Sequence, residues 1–140
     1  MIKNLSDYFR PELEIFLDSL SYKRIESENK NTEKEFTLLC KDNIKTEMQE
    51  DGIRIIVTRI LEFDPEEFFT LSVVFGADLK FNERKAEVKW DELNIAEEFR
   101  ANGDFVTAQL MSRMSLLIGQ ITSSFGQQPI IPPLALAKKG

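Results

Sequence analysis

An α+β fold is predicted, with a four-stranded antiparallel meander sheet and one long C-terminal helix packed on it. Every second residue of Phe68–Phe81 is apolar, which is the pattern of a strand with one buried face. Asp51-Gly52 is a strong signal for a tight hairpin turn before another strand, Ile53–Phe63. In Asp104–Phe125 the apolar residues recur every three or four positions, which is the period of a helix. At 140 residues, the chain is expected to form a single domain, 1–140.

Two strands are predicted before the hairpin turn. Asn4–Phe9 is expected to form a short helix that Pro11 ends, because proline lacks an amide hydrogen. Leu17–Glu28 is predicted as the first strand. Glu35–Gln49 is predicted as the second strand, bent at Asp42-Asn43, where turn-forming residues interrupt it. These two segments complete a sheet of four strands.

The remaining elements follow in a simple order. Ile53–Phe63 is rich in β-branched residues and is predicted as a strand, and Asp64–Glu67 forms the turn that follows it. Trp90–Arg100 is predicted as a short helix that ends at Asn102-Gly103. Asp104 then serves as an N-cap or first-turn acid of the long helix. The order of strands before helices indicates one sheet with a helix on one face.

Composition argues against catalysis and against nucleic acid. The chain has 18 basic and 24 acidic residues, so a net charge of -6 disfavours phosphate binding. It has no histidine, which excludes the common hydrolytic triads and histidine-containing zinc sites. The six glycines are isolated, and the single Cys40 cannot form an internal disulfide. We therefore expect a binding protein, not an enzyme, with no cofactor and no metal.

The location predicted from the sequence is the cytoplasm. Met1–Arg10 contains charged residues and lacks the apolar core of a signal peptide. The Asp104–Phe125 helix is long enough to approach a membrane span, but its many Ser, Thr and Gln side chains make insertion costly.

The long helix has an unusual second face. Its large apolar residues occupy one side, and small residues recur at the same spacing on the other, where a surface helix would carry Lys and Glu. Either this small face packs tightly on the protein's own sheet, or it meets a second copy of the chain in a homo-oligomer, dimer or tetramer. The residues of the predicted interface are Ala108, Ser112, Arg113, Ser115, Gly119 and Thr122.

An apolar groove is the second predicted surface. The aromatic row of the fourth strand is either core or groove lining, and the proline-containing extended segment Gln127–Ala137 either follows the sheet edge or forms a groove wall. The residues of the predicted groove are Phe69, Leu71, Phe75, Phe81, Phe125, Ile130, Ile131 and Leu134.

An acidic cluster surrounds the turn after the third strand. A cluster on a hairpin tip is typical of a solvated turn; docking of a basic partner and acid–base or metal chemistry are the alternatives. The residues of this predicted patch are Glu62, Asp64, Glu66 and Glu67.

The order of elements resembles that of the SecB export chaperones. The most specific match runs from Met111 through Ile118 and on to Ser124–Pro133: a helix with an arginine, a glycine about a dozen residues later, and a short apolar segment that ends in proline. The similarity is to divergent SecB-like proteins. One departure is Leu110, which stands where the family typically has proline.

The resemblance implies a homotetramer, a dimer of dimers with helices at the interface, that holds unfolded polypeptides in apolar grooves without nucleotide hydrolysis. It implies non-native polypeptides as clients and raises SecA, the export motor, as a further partner. The alternative is an oligomeric adaptor, or a chaperone dedicated to one client such as an antitoxin. A small-ligand enzyme would need an enclosed cavity with a buried carboxylate.

Overall fold

The computed structural model of the chain describes residues 2–26 and 36–124. Four long strands precede two helices; one short 3-10 helix comes before the first strand, and two lie between the last strand and the first helix. The strands are β1 (Phe9–Arg24), β2 (Thr37–Met48), β3 (Gly52–Asp64) and β4 (Phe69–Phe81); the helices are α1 (Ile95–Asn102) and α2 (Asp104–Ser123); the 3-10 helices are Leu5–Tyr8, Glu83–Glu87 and Trp90–Glu92.

The four strands form one antiparallel sheet in the order β1-β4-β3-β2. Strands β2, β3 and β4 are the predicted meander, whereas β1 crosses to the far side and pairs with β4. The hairpin between β2 and β3 is closed by a hydrogen bond of 2.9 Å from the amide of Gln49 to the carbonyl of Gly52. A Cβ on Gly52 would collide with the carbonyl oxygen of Leu79 on β4. Both β1 and β2 are therefore edge strands, and the predicted α+β class is confirmed.

Strand β1 begins much earlier than predicted. The expected strand was Leu17–Glu28 and Pro11 was expected to stop a helix, yet Pro11 lies inside β1. It falls in an irregularity of the pairing with β4, between Phe9 and Leu13. An edge strand tolerates a residue without an amide hydrogen at such a position, which explains the difference. Residues 27–35, which include the predicted loop 29–34, lie outside the described part.

The core lies between the sheet and α2. The helix has 20 residues, so it is about 30 Å long, and it packs mainly on β4 and β3. An aromatic cluster closes the end of the sheet where α2 begins. Phe9 of β1 stacks on Phe81 of β4, and Trp90 contacts both of these rings. The rings of Phe99 and Phe105 also pack against Phe9. The predicted helix 90–100 is divided between the 3-10 turn at Trp90 and α1.

A buried ion pair crosses the core. Arg59 and Asp42 are paired residues on β3 and β2, both are fully enclosed, and two hydrogen bonds of 2.8 and 2.7 Å join Nε and Nη2 of Arg59 to the carboxylate. The prediction that β2 bends at Asp42-Asn43 is wrong: the strand is continuous, and Asp42 points inward to meet the guanidinium. Asp42 therefore acts as a core residue, not as a turn former.

The Arg59 side chain also reaches α2. Its Nη1 atom donates to the hydroxyl of Ser115 at 3.4 Å. Burial alone would lower the pKa of Arg59, but the hydrogen bonds to Asp42 and the charge of that carboxylate outweigh it and raise the pKa. The guanidinium thus remains charged, and it connects two strands to the helix that covers them.

The other face of the sheet carries a second, more exposed arginine pair. Arg54 binds Asp78 through two hydrogen bonds of 2.7 and 2.9 Å, and its guanidinium lies 5.0 Å from the centre of the Phe16 ring. Phe16 lies over Gly76, where any Cβ would collide with the ring and with Ile56. The hydrogen bonds from Arg54 lower the pKa of Asp78.

Removing one member of the buried pair is expected to destabilise the protein strongly. Asp42→Ala leaves the Arg59 charge enclosed without its carboxylate, so the free energy of unfolding in urea should fall by about 3–5 kcal/mol. The double variant Asp42→Leu/Arg59→Met serves as control, because it removes both charges at similar volume and should recover most of the loss. Equal stability of the single and double variants would contradict this role.

Stability at low pH should depend on Asp78. Its pKa is lower in the folded than in the unfolded chain, so its contribution is present above the ordinary carboxyl pKa of 3.8 and is lost as the pH falls below it. Asp78→Asn should therefore be less stable than the wild type at pH 7, by a difference that shrinks towards pH 3. Urea titrations between pH 7 and pH 3 measure the free energies of unfolding of the variant and the wild type, with Glu12→Gln at an exposed position as control. A difference that stays constant over this pH range would refute the prediction.

Candidate functional site

The outward face of α2 offers little to water. Among the described residues from Phe105 to Ser123, Arg113 is the one charged side chain on the helix, and Leu116 is 64% exposed, more than any other large apolar residue described. Exposed small or neutral residues surround it, namely Ala108, Gln109, Ser112, Gln120 and Ser123.

The six residues predicted for the helix interface do not share one face. Ala108, Ser112 and Arg113 are exposed and Gly119 is half-buried, whereas Ser115 and Thr122 are buried. Assigning Ser115 and Thr122 to an outward face was therefore wrong. Ser115 lies on the buried stripe of the helix beside Met111, Met114 and Ile118, where its hydroxyl accepts a hydrogen bond from Arg59. The hydroxyl of Thr122 donates to the carbonyl of Ile118.

An uncovered apolar strip runs along the edge strand β1. Leu17, Leu20 and Tyr22 are 50%, 45% and 39% exposed, yet they pair with Phe75, Val73 and Leu71 and so lie on the core face of the sheet. They stay exposed because α2 packs mainly on β4 and β3. We call Leu17, Leu20 and Tyr22 the β1 strip.

The β1 strip was missed in the sequence because β1 contains a bulge. The pairing shifts between Leu17 and Ser19, so Asp18 is an extra residue and the apolar positions change phase. A strict alternation does not fit this segment, but allowing one inserted residue at Asp18 places Leu13, Ile15 and the β1 strip on one face.

The predicted groove residues of β4 are mostly core. Phe69, Leu71 and Phe81 are 3%, 0% and 6% exposed, so their assignment to an open groove is corrected, and Phe75 is half-buried. The core alternative is the observed one, since α2 and the aromatic cluster cover most of the row. Phe125, Ile130, Ile131 and Leu134, with the segment 127–137, lie outside the described residues.

A row of aromatic rings crosses the end of the sheet where α2 ends. It connects Tyr22 of β1 to Phe69, then Phe63 of β3, Phe68 and Phe36, with ring centres 4.9–5.5 Å apart. Phe68 is 47% exposed and has a left-handed backbone (φ 64°), which costs roughly 1–3 kcal/mol in a residue other than glycine. We call this ring row and the β1 strip together the open end.

The acidic hairpin beside the ring row is less uniform than predicted. Asp64 and Glu66 are exposed, but Glu62 pairs with Lys41 at 2.7 Å, and Glu67 is only 8% exposed. An Oε atom of Glu67 accepts a 3.4 Å hydrogen bond from the amide of Phe68. The exposed negative charge is thus concentrated at Asp64 and Glu66.

The acidic and cysteine side chains of the described residues form no metal-binding cluster. No group of three or more His, Cys, Asp or Glu residues in 2–26 and 36–124 could hold a metal. The three buried carboxylates are engaged, Asp42 by Arg59, Glu67 by the amide of Phe68 and Glu98 by the amide of Ile2. Burial raises the pKa of the half-buried Cys40 thiol, which disfavours the reactive thiolate.

Neither helix in the described part is long and apolar enough to cross a membrane.

A scan against models of known protein families finds no match, and a search of curated proteins finds none either. Solved structures do match. The Mycobacterium tuberculosis SecB-like chaperone Rv1957, in complex with a ChAD peptide from the Rv1956 HigA1 antitoxin, gives a TM-score of 0.69 at 11% sequence identity, over 93% of this chain and 89% of that chain. A protein of unknown function from Streptococcus agalactiae gives 0.42 at 13% identity, over 87% of this chain and 97% of that one.

This chain therefore has the SecB-like fold. At the level of the fold, the comparison confirms the predicted resemblance to a divergent SecB-like protein. The four-stranded antiparallel sheet and the long helix packed on it are the shared elements.

Proposed function

We propose that the protein is a cytoplasmic chaperone without catalytic activity or cofactor, which holds unfolded polypeptide segments at its open end. The observation that carries the proposal is the β1 strip, an apolar surface on the free edge of a SecB-like sheet. Soluble proteins rarely leave adjoining large apolar side chains in water, and such surfaces commonly bind other proteins.

The mechanism is addition of a strand to the sheet. The outer edge of β1 has no neighbouring strand among the described residues, so its backbone can pair with an extended client segment. Client side chains that point to the helix-facing side then pack against Leu17, Leu20 and Tyr22. A protein that binds only the unfolded state of a client shifts folding by mass action and needs no nucleotide.

A chaperone with one dedicated client is the narrower form of the same proposal. It is supported by the structural neighbour from M. tuberculosis, which was solved with a peptide of an antitoxin. A broad range of clients, as in protein export, would use the same strip, because backbone pairing is independent of side-chain sequence.

Self-association through the outward face of α2 is part of the proposal. Leu116 is 64% exposed and lies one helical turn after Ser112 and Arg113, which are also exposed. This exposed leucine favours a dimer or tetramer in which a second copy covers the outward face of α2. Ala108 and Ser112 are small enough to permit close approach of a second helix. Gly119, half-buried, lies at the margin of the same surface.

An adaptor that docks a folded partner is the second candidate. Exposed Asp64 and Glu66 and the half-exposed ring of Phe68 favour it, because they would suit a basic partner such as an export motor like SecA. Salt separates the two candidates: contacts between exposed charges weaken strongly above about 0.1 M salt, whereas apolar contacts persist.

Polar substitution of the β1 strip should impair client binding. Leu17→Ser/Leu20→Ser removes two exposed leucines, so the affinity for a reduced, permanently unfolded polypeptide should fall about tenfold or more, since each loses roughly 1 kcal/mol or more of apolar contact. Fluorescence anisotropy measures the affinity, and slowed aggregation of an unfolded client at equimolar ratio gives a second readout.

Met48→Ser is the matched control, because Met48 is also 50% exposed but lies at the opposite end of the sheet. Its affinity should equal that of the wild type. Equal losses in both variants would contradict a client site at the β1 strip, and a wild type that neither binds the polypeptide nor slows aggregation would refute the chaperone function.

A charge at the centre of the outward face of α2 should dissociate the oligomer. Leu116→Glu would place a carboxylate in an apolar contact, so light scattering should report the monomer mass of 16.2 kDa instead of a multiple of it. Ala101→Glu adds the same charge at an exposed position of α1 and should leave the assembly intact. A monomeric wild type would refute self-association.

A further inference from the structure

We propose that a pocket at the end of the sheet opposite the open end binds a segment of a partner protein in which a large apolar side chain stands next to lysine or arginine. The pocket has a volume of about 710 Å³, within the range of roughly 300–1,000 Å³ that is typical of ligand sites. One wall is the hairpin between β2 and β3, at Gln49 and Glu50, and the other is the connection 83–91 that follows β4. We call it the hairpin pocket.

Hydrogen bonds hold the two walls of the hairpin pocket together. The ammonium group of Lys85 donates to the carbonyl of Glu50 at 3.3 Å and lies 5.0 Å from the centre of the Phe81 ring. The indole nitrogen of Trp90 donates to the carbonyl of Lys85 at 3.0 Å. The pocket is therefore formed before a ligand arrives, so less conformational entropy is lost on binding than at a site that must first be ordered.

The apolar part of the pocket is formed by Ala86, Val88 and Trp90. Trp90 is only 6% exposed, because its ring packs against Phe9 and Phe81. Val88 is half-buried against the core. Ala86 is exposed, and its single methyl group leaves room for a larger side chain. A large apolar side chain from a partner would therefore leave water for a surface that is already rigid.

The rim of the pocket is acidic. Glu50, Glu83 and Asp91 are exposed there, and none of the ion pairs among the described residues includes them. Two lysines also line the pocket, but residues 47–51 and 83–92 together hold seven acidic and three basic side chains, a net charge of -4 out of the -6 of the whole chain. A lysine or arginine beside the apolar residue of the ligand would be attracted to this rim, and an acidic residue would be repelled.

The hairpin pocket is separate from the surfaces described above. The β1 strip and the exposed acids Asp64 and Glu66 belong to the end of the sheet where α2 ends, whereas the pocket lies beside Asp51 and Phe81, at the end where α2 begins. A partner could therefore bind the hairpin pocket while a client occupies the open end. The inference goes beyond the proposed function and does not depend on it.

Trp90 provides a direct test, because it is the only tryptophan of the chain and lines the pocket. The full chain is titrated with the capped peptide Gly-Leu-Arg-Lys-Gly, which should cause a saturable change in tryptophan fluorescence. The capped peptide Gly-Leu-Glu-Glu-Gly should cause none. Raising the salt concentration from about 0.05 M to about 0.5 M should weaken binding of the basic peptide severalfold, because the screening length becomes shorter.

Two variants assign the binding to the pocket. Ala86→Phe fills the apolar part, so the affinity for the basic peptide should fall about tenfold or more. Its control is Ala101→Phe, which adds the same ring at an exposed position of α1. Glu50→Lys/Glu83→Lys reverses two rim charges and should weaken binding about threefold or more. Its control is Glu12→Lys/Glu14→Lys, which makes the same change at exposed positions of β1.

Three outcomes would overturn the proposal: no saturable fluorescence change with the basic peptide, an equal change with the acidic peptide, or losses of affinity in Ala101→Phe as large as in Ala86→Phe. The titration contains no unfolded polypeptide. A failure of the chaperone function would therefore leave the peptide binding intact, and a failure of the peptide binding would leave the chaperone function intact.

Discussion

The buried pair of Arg59 and Asp42 constrains the whole domain. A charged guanidinium inside a core must keep its carboxylate partner, so β2 and β3 are held in one register. If β2 slipped by one residue along β3, Asp42 would turn to the opposite face of the sheet, away from Arg59, and the outward residues of β2 would enter the core. Arg59 also donates a hydrogen bond to Ser115, so the same group connects these two strands to the buried face of α2.

The sequence predicts the regular part of this structure well. Strands β3 and β4 and helix α2 follow from periodicity, because each has one face fully enclosed. Edge strand β1 is only partly enclosed and contains a bulge at Asp18, so no simple period describes it. The burial of Ser115 in α2 was also missed, because its hydrogen-bond partner Arg59 belongs to a strand far away in the sequence.

The exposed apolar surface does not lie at the residues predicted for it. An apolar surface was expected along β4, where the strongest apolar alternation lies, but strong alternation marks the residues that the helix covers best. The exposed surface lies one strand away, at Leu17, Leu20 and Tyr22, because α2 is too narrow to cover the edge of a four-stranded sheet. The two ends of the sheet differ as well: Phe9, Phe81 and Trp90 are enclosed at one end, whereas Tyr22 and Phe68 are partly exposed at the other.

The edge position of β1 also bears on how the protein can change by mutation. Natural edge strands commonly carry lysine or proline as protection against pairing with other chains; in β1 the proline lies near one end, at Pro11, and the lysine near the other, at Lys23. Between them, the leucines that could attract a partner are the same leucines that endanger solubility. A mutation that protects this stretch against aggregation would weaken binding there, so colloidal stability and recognition cannot be improved independently.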